Sequence, residues 1–306
     1  MFDYNQLAAL AAIIRVGSFD GAAAALGITQ PAVSQRLRAL EDRLGQPLVL
    51  RGQPCTATPA GQRLARHAEE VGLMEAQLTA ALGPGPEAGP RFLRIAVNAD
   101  SLASWIVPAL AAAQEAVPGL LFDLAVDDQD HSADWLRRGE VSAAVTGTAR
   151  PPHGCEAHPL GVMRYIASAS PGWIARHCPD GVTGAVMRRA PAMTYDEKDR
   201  LQLMWLDRTF GPGRAPPQHY LPSTHAFIHG AEAGLGWGMN PEMLIGAALE
   251  SGRLRPLLPD TPLDVPLYWM TPRHLSDTLR PVTRAIRATA QRMLRQPPRS
   301  DPAGPA

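Results

Sequence analysis

The stretch SFDGAAAALGITQPAVSQRL, residues 18–37, decides the fold of the N-terminal part of this chain. Ser18 is a good N-cap for a short helix, because its hydroxyl can accept from an N–H group of the first turn. Gly27 stands where a left-handed residue ends that helix without strain. Thr29 is a second N-cap, and Pro31 lies near the first helical position, where its missing N–H costs nothing. Two short helices joined by a glycine-containing turn predict a helix-turn-helix.

The second helix of this pair has an apolar face and a polar face. Val33, Leu37 and Leu40 recur at helical spacing and form one apolar stripe. The opposite side carries short polar groups and arginine, which suit the base edges and phosphates of a DNA major groove. The residues of the two helices that we expect to contact DNA are Ser18, Thr29, Gln30, Pro31, Ser34, Gln35, Arg36 and Arg38.

A short hairpin follows the second helix. Residues 48–51 (LVLR) predict one strand, and residues 56–58 (TAT) predict a return strand before a helix that starts at Pro59. This hairpin forms a wing, and Arg51 on it is placed to contact a phosphate. Residues 1–66 hold seven Arg and four acidic residues, a basic excess that suits duplex DNA as the partner. A plain helical hairpin, the alternative, would not explain the paired caps and the wing.

A long linker helix is predicted over residues 59–82, after a DNA-binding domain of residues 1–58. Leu64 and Leu78 belong to an imperfect heptad rhythm, which favours a dimer seam. Packing against the DNA-binding domain of the same chain is the alternative, and the two are compatible. The run GPGPEAGP at 83–90 predicts a hinge, because Pro and Gly suit neither a helix nor a sheet interior.

Beyond the hinge, strands and helices alternate, which predicts an α/β region with mostly parallel sheets. The predicted strands are 92–97, 120–126, 141–146 and 267–270, with a short one near Trp237, and the predicted helices are 101–116, 132–138, 197–210, 223–233 and 277–294. We expect two lobes around a cleft, lobe I from residues 91–165 with 266–296 and lobe II from residues 166–265. Residues 297–306 are predicted to be a disordered tail.

Composition limits the class of protein. A length of 306 residues suits two or three domains, and 29 basic residues balance 29 acidic ones, so a DNA-binding face has to be local. We find no secretion signal and no apolar run of about 18 residues. Cys55, Cys155 and Cys178 lack metal-ligand spacing. These features predict a cytoplasmic protein with free thiols, no membrane partner, no cofactor and no metal. No enzymatic activity is expected, because the sequence shows no GxSxG motif and no Ser/His/Asp arrangement with supporting context.

The run AAAALGITQPAVSQRLRALEDRLGQPL at 22–48, then the wing and TPAGQRL at 58–64, resembles the LysR-type transcriptional regulators. Length and organisation extend the resemblance over nearly the whole chain. It implies an α/β protein with an N-terminal winged helix-turn-helix, a long linker helix and a two-lobed effector domain like a periplasmic binding protein. It also implies promoter DNA, a small-molecule effector and RNA polymerase as partners, and a homodimer or homotetramer that forms through the linker helix and the effector domains.

Four segments narrow the resemblance. They are IAVNADSLASWIVPAL at 95–110, LAVDDQDHSADWLRRGEVSAAVT at 124–146, AGLGWGMNPE at 233–242 and PLYW at 266–269. All four resemble the ArgP/LysG regulators of basic amino acid export. The resemblance implies lysine or arginine, and in some members histidine, as the effector, and activation of an exporter gene.

The residues themselves also suit a cationic amino acid. Ser101 and Ser223 open helices on the two sides of the expected cleft, where free N–H groups can bind a carboxylate. The positive groups of such a ligand need carboxylate partners, and the ends of strands supply candidates. The predicted effector-binding residues are Asp100, Ser101, Asp127, Asp128, Thr146, Asp196, Ser223 and Thr224.

Several of these residues also have a purely structural interpretation. Asp100 suits a cap for the helix that follows it, and Ser223 and Thr224 suit a cap for theirs. Trp105 suits either stacking on a ligand cation or core packing. An effector that is an aromatic acid or another anionic metabolite would favour arginines in the cleft. Lysine and arginine are not distinguished, since a carboxylate can bind either.

Overall fold

The computed structural model describes residues 2–82, 91–126 and 132–296. The predicted hinge at 83–90, the acidic pair Asp127 and Asp128, and the predicted tail at 297–306 lie outside the described residues. Within the described ranges, no helix has both the length and the apolar character needed to cross a membrane.

The N-terminal domain is a winged helix-turn-helix with one further helix before it. Ser18 Oγ accepts from the N–H of Gly21 at 3.1 Å, and Gly27 ends the first helix of the pair in the left-handed region at φ 63°. The two wing strands pair antiparallel, with Val49 opposite Ala57. The elements are α1 (Tyr4–Val16), α2 (Phe19–Leu26), α3 (Gln30–Leu44), β1 (Val49–Leu50), β2 (Thr56–Ala57) and α4 (Pro59–Leu82). The predicted helix pair, wing and long helix are confirmed.

The helices of this domain enclose one apolar core. Val33, Leu37 and Leu40, the predicted stripe of α3, are buried and pack in one cluster with side chains of α1. The first turn of α4 lies against the wing, since a Cβ added to Gly61 would stand 2.0 Å from the carbonyl oxygen of Leu48. This close approach sets the direction in which α4 leaves the domain.

The C-terminal region, residues 91–296, contains the predicted alternation. Its strands are β3 (Arg91–Val97), β4 (Leu120–Val126), β5 (Ala143–Thr146), β6 (Cys155–Ala169), β7 (Ala192–Thr194), β8 (Gln218–Tyr220), β9 (Gly238–Pro241), β10 (Arg255–Pro256) and β11 (Leu263–Pro272). Its helices are α5 (Ala99–Ala103), α6 (Ile106–Ala116), α7 (Ser132–Arg138), α8 (Pro171–His177), α9 (Gly184–Met187), α10 (Leu201–Phe210), α11 (Thr224–Glu232), α12 (Glu242–Glu250) and α13 (Arg280–Met293), with a 3₁₀ turn at Arg273–Leu275. Lobe I carries β3 to β5, and lobe II carries β7 to β9.

A mixed sheet runs through both lobes. Its strand order is β10-β6-β11-β5-β3-β4, and β9 also pairs with β6. Strand β3 is parallel to β4 and β5, whereas β6 is antiparallel to β9, β10 and β11. The expectation of mostly parallel sheets is therefore wrong for the strands that join the lobes. Antiparallel strands need no crossover helix between them, so the chain passes from one lobe to the other along β6 and returns along β11.

Strand β6 is 15 residues long, and the sequence pattern did not predict it. Pro159 and Gly161 lie in its middle, and both residue types normally interrupt a strand. The register against β11 shifts between Leu267 and Tyr268, an irregularity that accommodates the proline. Glycine is needed at 161 because a Cβ there would stand 2.8 Å from the carbonyl oxygen of Arg295.

The helix predicted over 101–116 is broken into α5 and α6. Ser104 leaves the helical conformation, with φ −123° and ψ −81°. The break lets Trp105 bury its ring completely and donate from Nε1 to Ser101 Oγ at 3.0 Å. Trp105 is therefore a core residue, as one of its two interpretations predicted.

Helix α4 packs against the C-terminal region of the same chain. Leu73 is buried in the apolar core of that region. Glu70 is also buried, and it accepts from Arg66 Nε at 2.7 Å and contacts His274 Nε2 at 3.1 Å. The guanidinium of Arg66 lies over Gly139, which follows α7 in the left-handed region at φ 74°. The DNA-binding domain and the C-terminal region therefore meet on one helix.

A second group of charges lies where α1, α4 and β3 meet. The Arg15 guanidinium stands 4.0 Å from the ring centroid of Phe92. Glu69 of α4 interacts with Arg15, Arg94 and Asp123. Burial raises the pKa of Glu69 to about 7, against the lowering effect of the two arginines. Glu69 therefore changes charge near neutral pH at the junction between the domains.

We predict that Gly61→Ala destabilises the protein and that Gly72→Ala, on the same helix, does not. The methyl group at 61 would meet the Leu48 carbonyl, whereas nothing lies within 4 Å of a Cβ at 72. Overpacking costs about 1–3 kcal/mol, and Gly to Ala at an open helical position gains up to about 1 kcal/mol. Thermal unfolding followed by circular dichroism measures both effects. Equal melting temperatures for the two variants would contradict the close packing of α4 on the wing.

We predict that the contribution of Glu69 to the free energy of unfolding is lost as the pH rises through its pKa of about 7. Its folded pKa lies above the ordinary carboxyl value, so the stabilisation is complete below the unfolded pKa and is lost as the folded protein ionises. Glu69→Gln should flatten the dependence of the melting temperature on pH between about 5 and 8 and should gain most over the parent at the upper end. Glu75→Gln, exposed on the same helix, is the control. Parallel pH profiles for Glu69→Gln and the parent would show that Glu69 is not responsible.

Candidate functional site

One face of α3 is polar and exposed to solvent. Gln30, Pro31, Gln35 and Arg38 are exposed, opposite the buried stripe of the same helix. Ser34 is half-buried, and its Oγ accepts from Gln30 Nε2 at 3.2 Å. A helix with one buried face and exposed amide and guanidinium groups can enter a major groove and donate to base edges.

The other residues that we expect to contact DNA flank this face. Thr29 holds the N-cap position of α3 without a side-chain cap hydrogen bond, so its exposed hydroxyl is available. Ser18 caps α2, and Arg36 is half-buried. Arg51 on the wing is exposed, with its guanidinium 5.6 Å from the ring centroid of Phe19. Contact of each residue with DNA stays a prediction.

A cavity opens between the two lobes of the C-terminal region. About 540 Å³ of space lies within and in front of it, open solvent at its mouth included, and it lies at the carboxyl end of β3 and beside the start of α11. Ligands of α/β sheets bind at such strand ends. Its polar lining in the described part of the chain consists of Asn98, Asp100, Tyr165, Tyr195, Asp199, Thr224 and Asn240.

Asp100 connects the two lobes across this cavity. Its Oδ1 accepts from Thr224 Oγ1 at 2.8 Å, and its Oδ2 accepts from the hydroxyl of Tyr165 at 2.8 Å. These three residues belong to α5, α11 and β6. Asn98 holds the N-cap position of α5, so Asp100 is not the cap that its structural interpretation suggested. The fold brings together two of the predicted effector-binding residues, Asp100 and Thr224.

Asp199 supplies a second carboxylate from lobe II, and the sequence pattern did not predict it. It accepts from the N–H groups of Tyr195 at 3.0 Å and Leu201 at 2.9 Å. The predicted carboxylate, Asp196, accepts instead from the N–H groups of Lys198 at 2.8 Å and Asp199 at 3.1 Å, and it lies outside the cavity lining. These turns delay the start of α10, which begins later than the sequence predicted.

Two buried amides line the cavity with unused acceptors. Asn98 and Asn240 are 5% and 0% exposed, and Oδ1 of each has no hydrogen-bond partner among the described residues. The orientation of the Asn240 amide is set by its neighbours, because Nδ2 donates to the carbonyl of Gly238 at 3.3 Å and to Ser168 Oγ at 3.0 Å. A buried acceptor without a partner costs about 1–3 kcal/mol. Both oxygens therefore favour a ligand that brings hydrogen-bond donors.

The described lining has negative character. No Arg, Lys or His of the described ranges belongs to it, and Lys198 is exposed outside it. Burial and the charges of Asp100 and Asp196 raise the pKa of Tyr195, so this phenol stays neutral. The arrangement can neutralise a cation, because carboxylates and amide oxygens are its polar groups.

The other predicted effector residues lie behind or beside the cavity. Ser101 is fully buried, and its hydroxyl accepts from Trp105. Thr146 is fully buried at the end of β5, where Oγ1 accepts from the N–H of Thr148 at 3.3 Å. Ser223 caps α11 with its hydroxyl. None of these three predicted side chains is part of the described lining, and their contact with an effector stays a prediction.

Two family models match the two parts of the chain. Residues 4–62 match "Bacterial regulatory helix-turn-helix protein, lysR family", and residues 90–294 match "LysR substrate binding domain". The chain belongs to the LysR family of transcriptional regulators. It is therefore a DNA-binding regulator with an effector-binding domain, in a family of regulators rather than enzymes.

Relatives narrow the assignment. This LysR-type regulator is 42% identical over 293 residues to the HTH-type transcriptional regulator LysG of Mycobacterium tuberculosis (strain H37Rv), with 96% of this chain and 95% of the relative covered. It is 43% identical over 296 residues to ArgP of Pseudomonas fluorescens (strain Pf0-1), with 95% and 98% covered. A full-length LysG from Corynebacterium glutamicum with bound effector Arg is 37% identical, with a TM-score of 0.65 and 96% and 100% covered. The resemblance to the ArgP/LysG regulators is confirmed.

We predict that Gln35→Ala and Arg51→Gln weaken DNA binding in different ways. Loss of a base-edge contact at Gln35 should cost about 1–3 kcal/mol on the operator alone. Loss of a phosphate contact at Arg51 should weaken specific and non-specific binding alike and should lower the salt slope by about 1. Anisotropy titrations at several salt concentrations measure both, and Arg292→Gln, exposed on α13, is the control. A lower salt slope for Gln35→Ala and an operator-specific loss for Arg51→Gln would contradict the two assigned contacts.

Proposed function

We propose that this regulator binds a basic amino acid, lysine or arginine, between its lobes and activates transcription of an amino acid exporter gene. The observation that carries the proposal is the pair of unused buried oxygens, Asn98 Oδ1 and Asn240 Oδ1, in one cavity with the carboxylates of Asp100 and Asp199. The identity to LysG and ArgP regulators supports it, as does the arginine bound to the related LysG.

A basic amino acid matches this lining in charge and in its apolar stem. Its two cationic groups are rich in N–H donors, and charge-assisted hydrogen bonds are the stronger ones. Its aliphatic stem fits the apolar part of the lining, which includes Leu201, Phe227 and Met239. An anionic metabolite would place its charge beside Asp100 and Asp199, where like charges repel.

We propose that the effector changes DNA binding through the arrangement of the lobes. A ligand shifts such an equilibrium only by binding one arrangement more tightly than another. Asp100 already joins α5, α11 and β6, so a cation beside it alters contacts of both lobes. Helix α4 contacts the same region through Glu70 and Leu73 and continues into the DNA-binding domain. A change in the arrangement of the lobes can therefore reach the recognition helices through α4.

We also propose that the regulator acts as a homodimer or homotetramer in the cytoplasm, with RNA polymerase as its partner at the promoter. Met74, Leu78 and Leu82 of α4 are exposed at a spacing of four residues. A second copy of α4 would cover this apolar stripe. Paired linker helices would bring two recognition helices to half-sites separated by one DNA turn or a multiple of it.

Thermal unfolding of the full chain with each of the twenty amino acids tests the effector. A ligand that binds the folded state alone raises the melting temperature by mass action. A shift confined to lysine, arginine or histidine supports the proposal. No shift with these three, together with a shift for another metabolite, would discard it. A reporter gene behind the exporter promoter, with and without the active amino acid, tests activation.

We predict that Asp199→Asn weakens lysine binding at least about tenfold and that Asp196→Asn changes it less than about twofold. The two residues lie in the same loop, yet only Asp199 belongs to the cavity lining. The amide keeps the size of the carboxylate and removes the charge that a ligand cation needs. Calorimetric titration of the parent and both variants measures the effect. A larger loss for Asp196→Asn would place the cation at the other carboxylate.

A further inference from the structure

The described cavity lining offers oxygen acceptors to a ligand from both lobes. We propose that the cavity recognises two cationic N–H groups and does not need the α-carboxylate, so that aliphatic diamines and guanidinoamines are also ligands. This inference rests on the proposed function in placing the effector in this cavity. It adds a second ligand class, the amines that remain when a basic amino acid loses its carboxylate.

The acceptors occupy two sides of the cavity. Asn98 and Asp100 follow β3 in lobe I, whereas Asp199 and Asn240 belong to lobe II. The Oδ1 atoms of Asn98 and Asn240 are buried and unused, and an amide oxygen can only accept. A ligand that satisfies both sides must therefore present N–H donors at two places. A diamine does this with no other polar group.

The helix starts beside the cavity are poor sites for a carboxylate. Helix α5 has only five residues and carries Asp100 in its first turn, so its small positive end is already compensated. At α11, Ser223 Oγ accepts from the N–H of Ala226, and Thr224 Oγ1 donates to Asp100. Both hydroxyls are therefore engaged within the protein.

The charge of the lining and the open mouth of the cavity also indicate that the ligand carboxylate is not required. A ligand carboxylate inside the cavity would share it with Asp100 and Asp199, and like charges in a partly buried site repel strongly. The cavity is open on one side, so a carboxylate can stay in water at the mouth while the cationic groups enter. A carboxylate that keeps its hydration contributes little to affinity. Its removal leaves the interactions with the lining intact.

The experiment is a calorimetric titration of the full chain with matched ligands. 1,5-Diaminopentane is lysine without its carboxylate, and 4-guanidinobutylamine is arginine without its carboxylate. Norleucine keeps the carboxylate and the α-ammonium of lysine and loses the terminal cation. We expect each amine to bind within about tenfold of its parent amino acid and norleucine to bind at least about 100-fold more weakly than lysine. Amines that bind more than about tenfold more weakly than their parents would overturn the inference, as would norleucine binding more tightly than the diamine.

Asp199→Asn provides a second readout in a variant that keeps the size of the side chain. If recognition rests on the cations, the substitution weakens the diamine at least as much as it weakens lysine, because the diamine has no other charged anchor. A smaller loss for the diamine than for lysine would contradict this. Asp196→Asn, outside the lining, is the matched control for both ligands.

The titrations separate this inference from the proposed function. Binding of lysine or arginine without binding of either amine leaves the proposed function intact and overturns the inference. Failure of lysine, arginine and histidine to bind overturns the proposed function. In that case, binding of the amines alone would identify the cavity as an amine site.

Discussion

A half-buried carboxylate shared between two lobes is the interaction on which the effector domain depends. Asp100 accepts from Thr224 on α11 and from Tyr165 on β6, so one side chain connects lobe I, lobe II and a strand that joins them. Removing a carboxylate from water is unfavourable unless partners compensate for it. The hydroxyls supply part of that compensation, and the cation that we propose as the ligand would supply more. In the proposed function, the lobes and the ligand therefore depend on the same two oxygen atoms.

The contacts of α4 support the proposal that the cavity and the DNA-binding domain belong to one mechanism. Strands β6 and β11 hold the lobes in one sheet, and α4 packs on that sheet through Leu73 while Glu70 contacts His274. At its other end, α4 is held against the wing by the close approach at Gly61. A helix transmits a displacement along its axis without bending much, since its backbone hydrogen bonds are internal.

Much of the fold follows from local sequence signals. The caps at Ser18 and Gly27 and the stripe of α3 predict the helix-turn-helix, because each signal lies within a few residues of the structure it determines. The bounds of α4 agree with the predicted 59–82 for the same reason. Strand β6 could not be found in this way, since Pro159 is tolerated only where the register against the distant strand β11 shifts.

The sequence by itself determined the DNA-binding domain, the long helix, the α/β character of the rest and two residues of the cavity, Asp100 and Thr224. The tertiary structure decided the remaining polar lining: Asn98, Tyr165, Tyr195, Asp199 and Asn240. The physical reason is distance along the chain. A cap or an amphipathic face is read from neighbours a few positions apart, whereas the unused oxygens of two amides become a site only when strands from different lobes bury them beside the same cavity.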